Sequence, residues 1–170
     1  MRTLLLCAVL LCCPGCCRAG GGSARAVIED FYKAYLSRPA GPAKPMDLPF
    51  SRSFLELKKN NSAACAAYAG TDICGWGADG DIYLDTQEYD PGLNYKNSGF
   101  KAVEAKPGVI DVAFNVYPGE KKQPAYYDKK LRYLLVKEGG AWVVDDLLAA
   151  GRSARAAMLD EIAFYTKQGG

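Results

Sequence analysis

The sequence predicts an α+β domain, with helices packed on one face of a curved antiparallel sheet, and three observations carry that expectation. Apolar residues recur at helical spacing after Ala24, alternate with polar ones from Val109, and return to helical spacing after Ser153. Strand-helix-strand alternation and glycine-rich phosphate motifs are missing, which argues against a parallel nucleotide-binding sheet. A chain of 170 residues suffices for one well-buried core, so a single domain is the expectation.

Residues 1–17 read as an export signal with a lipobox-like end. Arg2 supplies a positive start, and Thr3 to Cys13 form an apolar stretch that Pro14-Gly15 breaks. The stretch is shorter than the roughly 20 residues a membrane-spanning helix needs. Cys16 follows the small residue Gly15, as in the lipobox of bacterial lipoproteins, so Cys16 is the expected lipidation site, with Cys17 the second choice. Cleavage at the small-x-small site Ala24-Arg25-Ala26 is the alternative and leaves no anchor. The expected partner is therefore a membrane reached through a lipid anchor, and the expected location is the periplasm or the bacterial envelope. Residues 18–23 are small and polar and read as a flexible tether, with a single domain over residues 24–167.

The first helix is predicted over Ala24–Ser37, where Val27, Ile28, Phe31, Ala34 and Tyr35 form one stripe and Tyr32 flanks it. Pro39, Pro42 and Pro45 make the following segment a loop. A second helical region runs from Ser51 to Tyr68, with a break expected at Asn60-Asn61-Ser62 and a stop at Gly70. Ile82-Tyr83-Leu84 is a short extended candidate, followed by a turn-rich stretch from Tyr89 to Ser98. Ile110, Val112, Phe114 and Val116 alternate against Asp111 and Asn115, the pattern of a half-buried strand. Leu131–Lys137 and Ala141–Leu148, joined by Glu138-Gly139-Gly140, read as a hairpin. Ser153 is the expected N-cap of a last helix with Ala154, Ala157, Met158, Ile162 and Tyr165 on one stripe.

Composition removes several function classes. Lys and Arg number 21 against 19 Asp and Glu, a surplus too small for nucleic-acid binding by the whole domain. The absence of His excludes serine and cysteine triads and His-ligated metals. Five of the 7 cysteines precede residue 18, leaving Cys65 and Cys74, whose closeness in an exported chain predicts a disulfide. Asp79, Asp81, Asp85 and Asp90 do not make a calcium loop, because Tyr83 and Leu84 occupy positions that such a loop gives to a ligand and to Gly. No metal and no cofactor is expected.

Phe31-Tyr32-Lys33-Ala34-Tyr35-Leu36, Asp81-Ile82-Tyr83-Leu84-Asp85-Thr86-Gln87-Glu88 and Trp142-Val143-Val144-Asp145-Asp146 before Gly151-Arg152-Ser153-Ala154-Arg155 together resemble a bacterial domain-of-unknown-function family, number 3828. The resemblance runs from about Val27 to Leu159, and Ala154-Arg155 stand where that family tends to have Leu-Arg. It implies an exported lipoprotein with the nuclear transport factor 2-like cone: N-terminal helices on a curved antiparallel sheet, closed by a C-terminal helix. It implies no established activity.

In a regular strand Asp145 and Asp146 point to opposite faces, and Trp142, Val144 and Asp146 share one. One of the two acids is expected to anchor the last helix or to pair with Arg152 or Arg155, with the other solvated. Some relatives in the superfamily use an Asp so placed, with a Tyr, for proton abstraction, which implies Asp146 as the base of an isomerase or dehydratase-like enzyme. Tyr32, Asp85 and Gln87 are expected to form a buried polar cluster that ties the first helix to the sheet and could fix a ligand, with Trp142 in the same interior. The 11 tyrosines offer recognition surface. The expected function is a non-catalytic binding or interaction module for an envelope protein, with the Asp146 enzyme and a carrier of a small apolar ligand as the alternatives.

Overall fold

The computed structural model describes residues 22–38, 46–70, 74–120 and 127–168. The export signal, Cys16 and Cys17 lie outside them. The described elements are α1 (Ala24–Tyr35), α2 (Arg52–Ala69), β1 (Lys101–Lys106), β2 (Val109–Asn115), β3 (Asp128–Glu138), β4 (Ala141–Ala149), β5 (Arg152–Ser153) and α3 (Ala154–Gln168). The strands form one open antiparallel sheet in sequential order, so the fold is α+β as the patterning predicts. No helix among the described residues is long and apolar enough to cross a membrane.

Each helix begins at a serine. Ser23, Ser51 and Ser153 accept hydrogen bonds from the backbone N–H of Ala26, Phe54 and Ala156, satisfying donors that a first turn leaves free. Gly70 ends α2 in the left-handed conformation. Against expectation α2 does not break at Asn60-Asn61-Ser62. Asn61 is fully buried: its carbonyl accepts from Trp76 N–H at 2.7 Å, and its amide donates to Glu161 at 2.9 Å on α3. Gly75 is required beside it, since a Cβ there would stand 2.6 Å from the Asn61 carbonyl oxygen.

The stripe of α1 also differs from the prediction. Ala34 is exposed, whereas Tyr32 is among the most buried residues, and the core face is Ala24, Ile28, Phe31, Tyr32 and Tyr35. That face packs with Phe54 of α2 and Met158 of α3 onto Ile110, Val112, Phe114, Leu131, Tyr133, Leu135, Val144 and Leu147 of the sheet. Ile82-Tyr83-Leu84 is a turn and not a strand. The Asp81 carboxylate accepts from the N–H groups of Tyr83 and Leu84, and Asp81 bridges to Thr86 across the turn. At the other end of the molecule the predicted hairpin between β3 and β4 turns on Gly139 and Gly140, both at positive φ.

A disulfide joins Cys65 on α2 to Cys74, with Cα atoms 5.8 Å apart. Closing this short loop contributes about 2.5–3 kcal/mol on the chain-entropy estimate, and reduction is expected to lower the urea midpoint accordingly. Asn61→Ala would leave the Trp76 N–H unpaired and open a small void. It is expected to cost about 2–3 kcal/mol in equilibrium denaturation, and an unchanged midpoint would refute the clamp.

Candidate functional site

Tyr32 of α1 reaches across the core, where its hydroxyl donates to the carbonyl of Tyr83 at 2.7 Å and lies 2.7 Å from the hydroxyl of Tyr133 on β3. Tyr32 has one proton and the Tyr83 carbonyl can only accept, so Tyr133 donates to Tyr32. Tyr83 in turn donates to Asp47 at 2.7 Å, and Tyr35 donates to Asp81. Burial pushes the Tyr32 and Tyr133 hydroxyls well above the usual tyrosine range. It does the same for Tyr35 and Tyr83, with a further rise from the Asp81 and Asp47 carboxylates. The Arg38 guanidinium stacks 3.5 Å over the Tyr35 ring.

This network floors an open cleft of about 800 Å³ between α1, α2 and the residues that follow Cys74. Tyr35, Tyr83, Trp76 and Tyr89 supply aromatic surface, and Asp47, Lys58 and Gln87 supply polar groups. Trp76 is fixed edge-on against Phe54, with ring centroids 5.7 Å apart. An adjoining hollow of about 310 Å³ adds Asp79, Asp85 and Glu161. Mixed polarity with rigid rings suits a polar partner that stacks and hydrogen-bonds, more than an apolar one. No grouping of three or more candidate metal ligands occurs among the described residues.

The expected cluster of Tyr32, Asp85 and Gln87 divides. Gln87 lines the cleft and Asp85, in the left-handed conformation, lines the adjoining hollow, whereas Tyr32 lies beneath the cleft with Tyr133 and Tyr83 as its partners. Trp142 is in neither place. It sits on β4 near the far hairpin, under the Lys137 ammonium at 5.1 Å, and close enough to Gly108 that a Cβ there would approach its ring to 3.2 Å. The sequence offers one signal for the residues it did not single out: Trp76 and Gly77 stand in a glycine-rich run beside a cysteine, a composition that marks an ordered loop.

The shared face of Trp142, Val144 and Asp146 does not form. Val144 pairs with Leu135 and Asp146 with Leu134, so Asp145 is an extra residue and a β-bulge reverses the alternation. Beyond it Leu147, and not Asp146, shares the core face with Val144. The bulge sends the two acids to two helix starts. The Asp146 carboxylate accepts from Leu147 N–H at 2.8 Å, Ser153 Oγ at 2.6 Å and Arg155 N–H at 3.1 Å, the last at the start of α3. Asp145 accepts from Ser51 at 2.6 Å and Ser53 at 3.0 Å at the start of α2, and from Arg155 at 3.3 Å. Both positions favour negative charge at the positive end of a helix.

Asp146→Ala is expected to cost about 2–3 kcal/mol, since it leaves buried donors unpaired, while Asp146→Asn should lose less. Tyr32→Phe should cost about 2–3 kcal/mol because it orphans both the Tyr83 carbonyl and the Tyr133 hydroxyl; Tyr133→Phe should cost about 1. The double variant is expected to cost less than the sum, as for groups in one network. The four tyrosines have folded pKa values above the unfolded value of about 10. Their stabilisation is complete below about pH 10 and falls as pH rises beyond it, since only the unfolded chain readily releases those protons. Tyrosinate absorbance should therefore show a fraction that appears only with cooperative alkaline unfolding.

Comparison of the chain with protein-family models, curated proteins and solved structures finds no match, so its functional reading rests on its own geometry.

Proposed function

We propose that the chain is an exported, lipid-anchored domain of the bacterial envelope that acts as a non-catalytic binding module, engaging an envelope partner through the Trp76–Tyr89 cleft. The observation that carries this reading is the engagement of Asp146. Its oxygens already accept three hydrogen bonds, so the acid with the credentials of a general base serves as a helix anchor. The space beneath the sheet is filled by Phe31, Tyr32, Phe114 and Tyr133, which turns the reading away from an interior carrier site. The Cys65–Cys74 bridge is consistent with an oxidising compartment. The nuclear transport factor 2-like cone and kinship with family 3828 belong to the same proposal. Two leading helices, sequential antiparallel strands and bulges in β1 and β4, which bend a sheet, support them.

Metabolic labelling with an alkyne fatty acid, with mass spectrometry of the mature N-terminus, tests the anchor. Label lost in Cys16→Ser and retained in Cys17→Ser is the expected result; an unlabelled chain beginning near Ala26 would overturn it. A photo-crosslinker at Gln87 should trap a discrete envelope component. Trp76→Ala should reduce that yield about tenfold or more while the fold is kept, the effect of removing a central aromatic contact. A turnover abolished in a folded Asp146→Asn variant would defeat the non-catalytic reading.

A further inference from the structure

The helices cover one face of the sheet, and the other face carries a hollow of about 440 Å³ that spans β1 to β4. Register defines its floor. Lys101, Ala113 and Lys130 lie in one row across three strands, and Val103, Asp111, Arg132 and Leu148 lie in the next. Side chains in a row share a face. The small Ala113 between two long lysines makes the depression, about two strand spacings or roughly 10 Å wide. Val103, 60% exposed, and Leu148 give it apolar flanks.

The charges are not balanced. Arg132 donates to Asp111 at 2.6 and 2.9 Å, a two-pronged pair that neutralises itself and holds the Asp111 carboxyl below its usual range. Lys101 and Lys130 have no ion-pair partner among the described residues. Two unpaired ammonium groups above a mostly hydrocarbon floor complement a molecule with one anionic end and one apolar chain. The hollow also falls within the roughly 300–1,000 Å³ of small-molecule sites.

We infer that the open face of the sheet is a second binding site, distinct from the cleft, for a free single-chain anionic amphiphile. Its carboxylate sits between Lys101 and Lys130, and its chain lies against Val103 and Leu148. The site does not depend on the function proposed for the cleft.

Titration of the full mature chain with dodecanoate below its micelle concentration, followed by calorimetry, tests this. One saturable site is expected, with dodecanol bound at least about tenfold more weakly, because it lacks the charge that the lysines recognise. Lys101→Ala with Lys130→Ala should reduce dodecanoate affinity by about tenfold or more, and Ala113→Trp should abolish binding while circular dichroism stays unchanged. Trp76→Ala should leave dodecanoate binding intact, which separates this site from the cleft. Equal affinity for dodecanol, binding only to phosphatidylglycerol vesicles, or a dimer whose formation buries this face and resists dodecanoate would each overturn the inference.

Discussion

Tyr32 brings a phenol oxygen to the centre of an apolar core, where an unpaired polar atom would cost about 1–3 kcal/mol, and three separate parts of the chain meet there to pair it. Its partners are the Tyr83 carbonyl in the 81–86 turn and the Tyr133 hydroxyl on β3. The bonds are directional, so they fix how far α1 slides along the sheet and how closely the turn approaches it. Apolar packing of Phe31 and Ile28 supplies most of the driving force, but packing alone tolerates small shifts that these bonds do not. The turn is in turn held by Asp81, which binds two of its own N–H groups and the Tyr35 hydroxyl. The floor of the cleft is thus an extension of the core, and its rings are held in fixed orientations.

The bulge at Asp145 solves a second problem. Two helices start near β4, and each presents free N–H groups with partial positive charge. A regular strand would aim one acid into the core and the other to solvent. One inserted residue instead gives Asp145 to Ser51 and Ser53 at the head of α2 and Asp146 to Ser153 and Arg155 at the head of α3. The same change of register turns Leu147 inward, where it joins the core. For Asp146, stability and unsuitability as a base have one cause: an acid that accepts three hydrogen bonds is poorly placed to take a substrate proton.

The space between helices and sheet is filled, so the cleft and the hollow on the open sheet face both lie on the outside of the fold. The cleft combines rings with carboxylates and suits a polar partner, while the opposite sheet face combines aliphatic side chains with two lysines that have no ion-pair partner among the described residues.

The sequence by itself determined the fold class, the serine cap of the last helix at Ser153, the β2 alternation, the Gly-Gly hairpin, the close cysteine pair and the reading of one acid as the anchor of the last helix. Each depends on residues near one another in the chain, so spacing and residue type carry the information. The tertiary structure alone decided the rest. Strand β1 was invisible because, as an edge strand, it buries only Ala102 and shows no clear alternation. The continuity of α2 depends on Asn61 meeting Trp76 and Glu161, residues 15 and 100 positions away. The separation of Tyr32 from Asp85 and Gln87, and the reversal of faces at Asp145, arise from pairing requirements between distant elements. A one-residue slip in a strand exchanges its two faces, and no local pattern records it, because the groups that demand it come together only when the chain has folded.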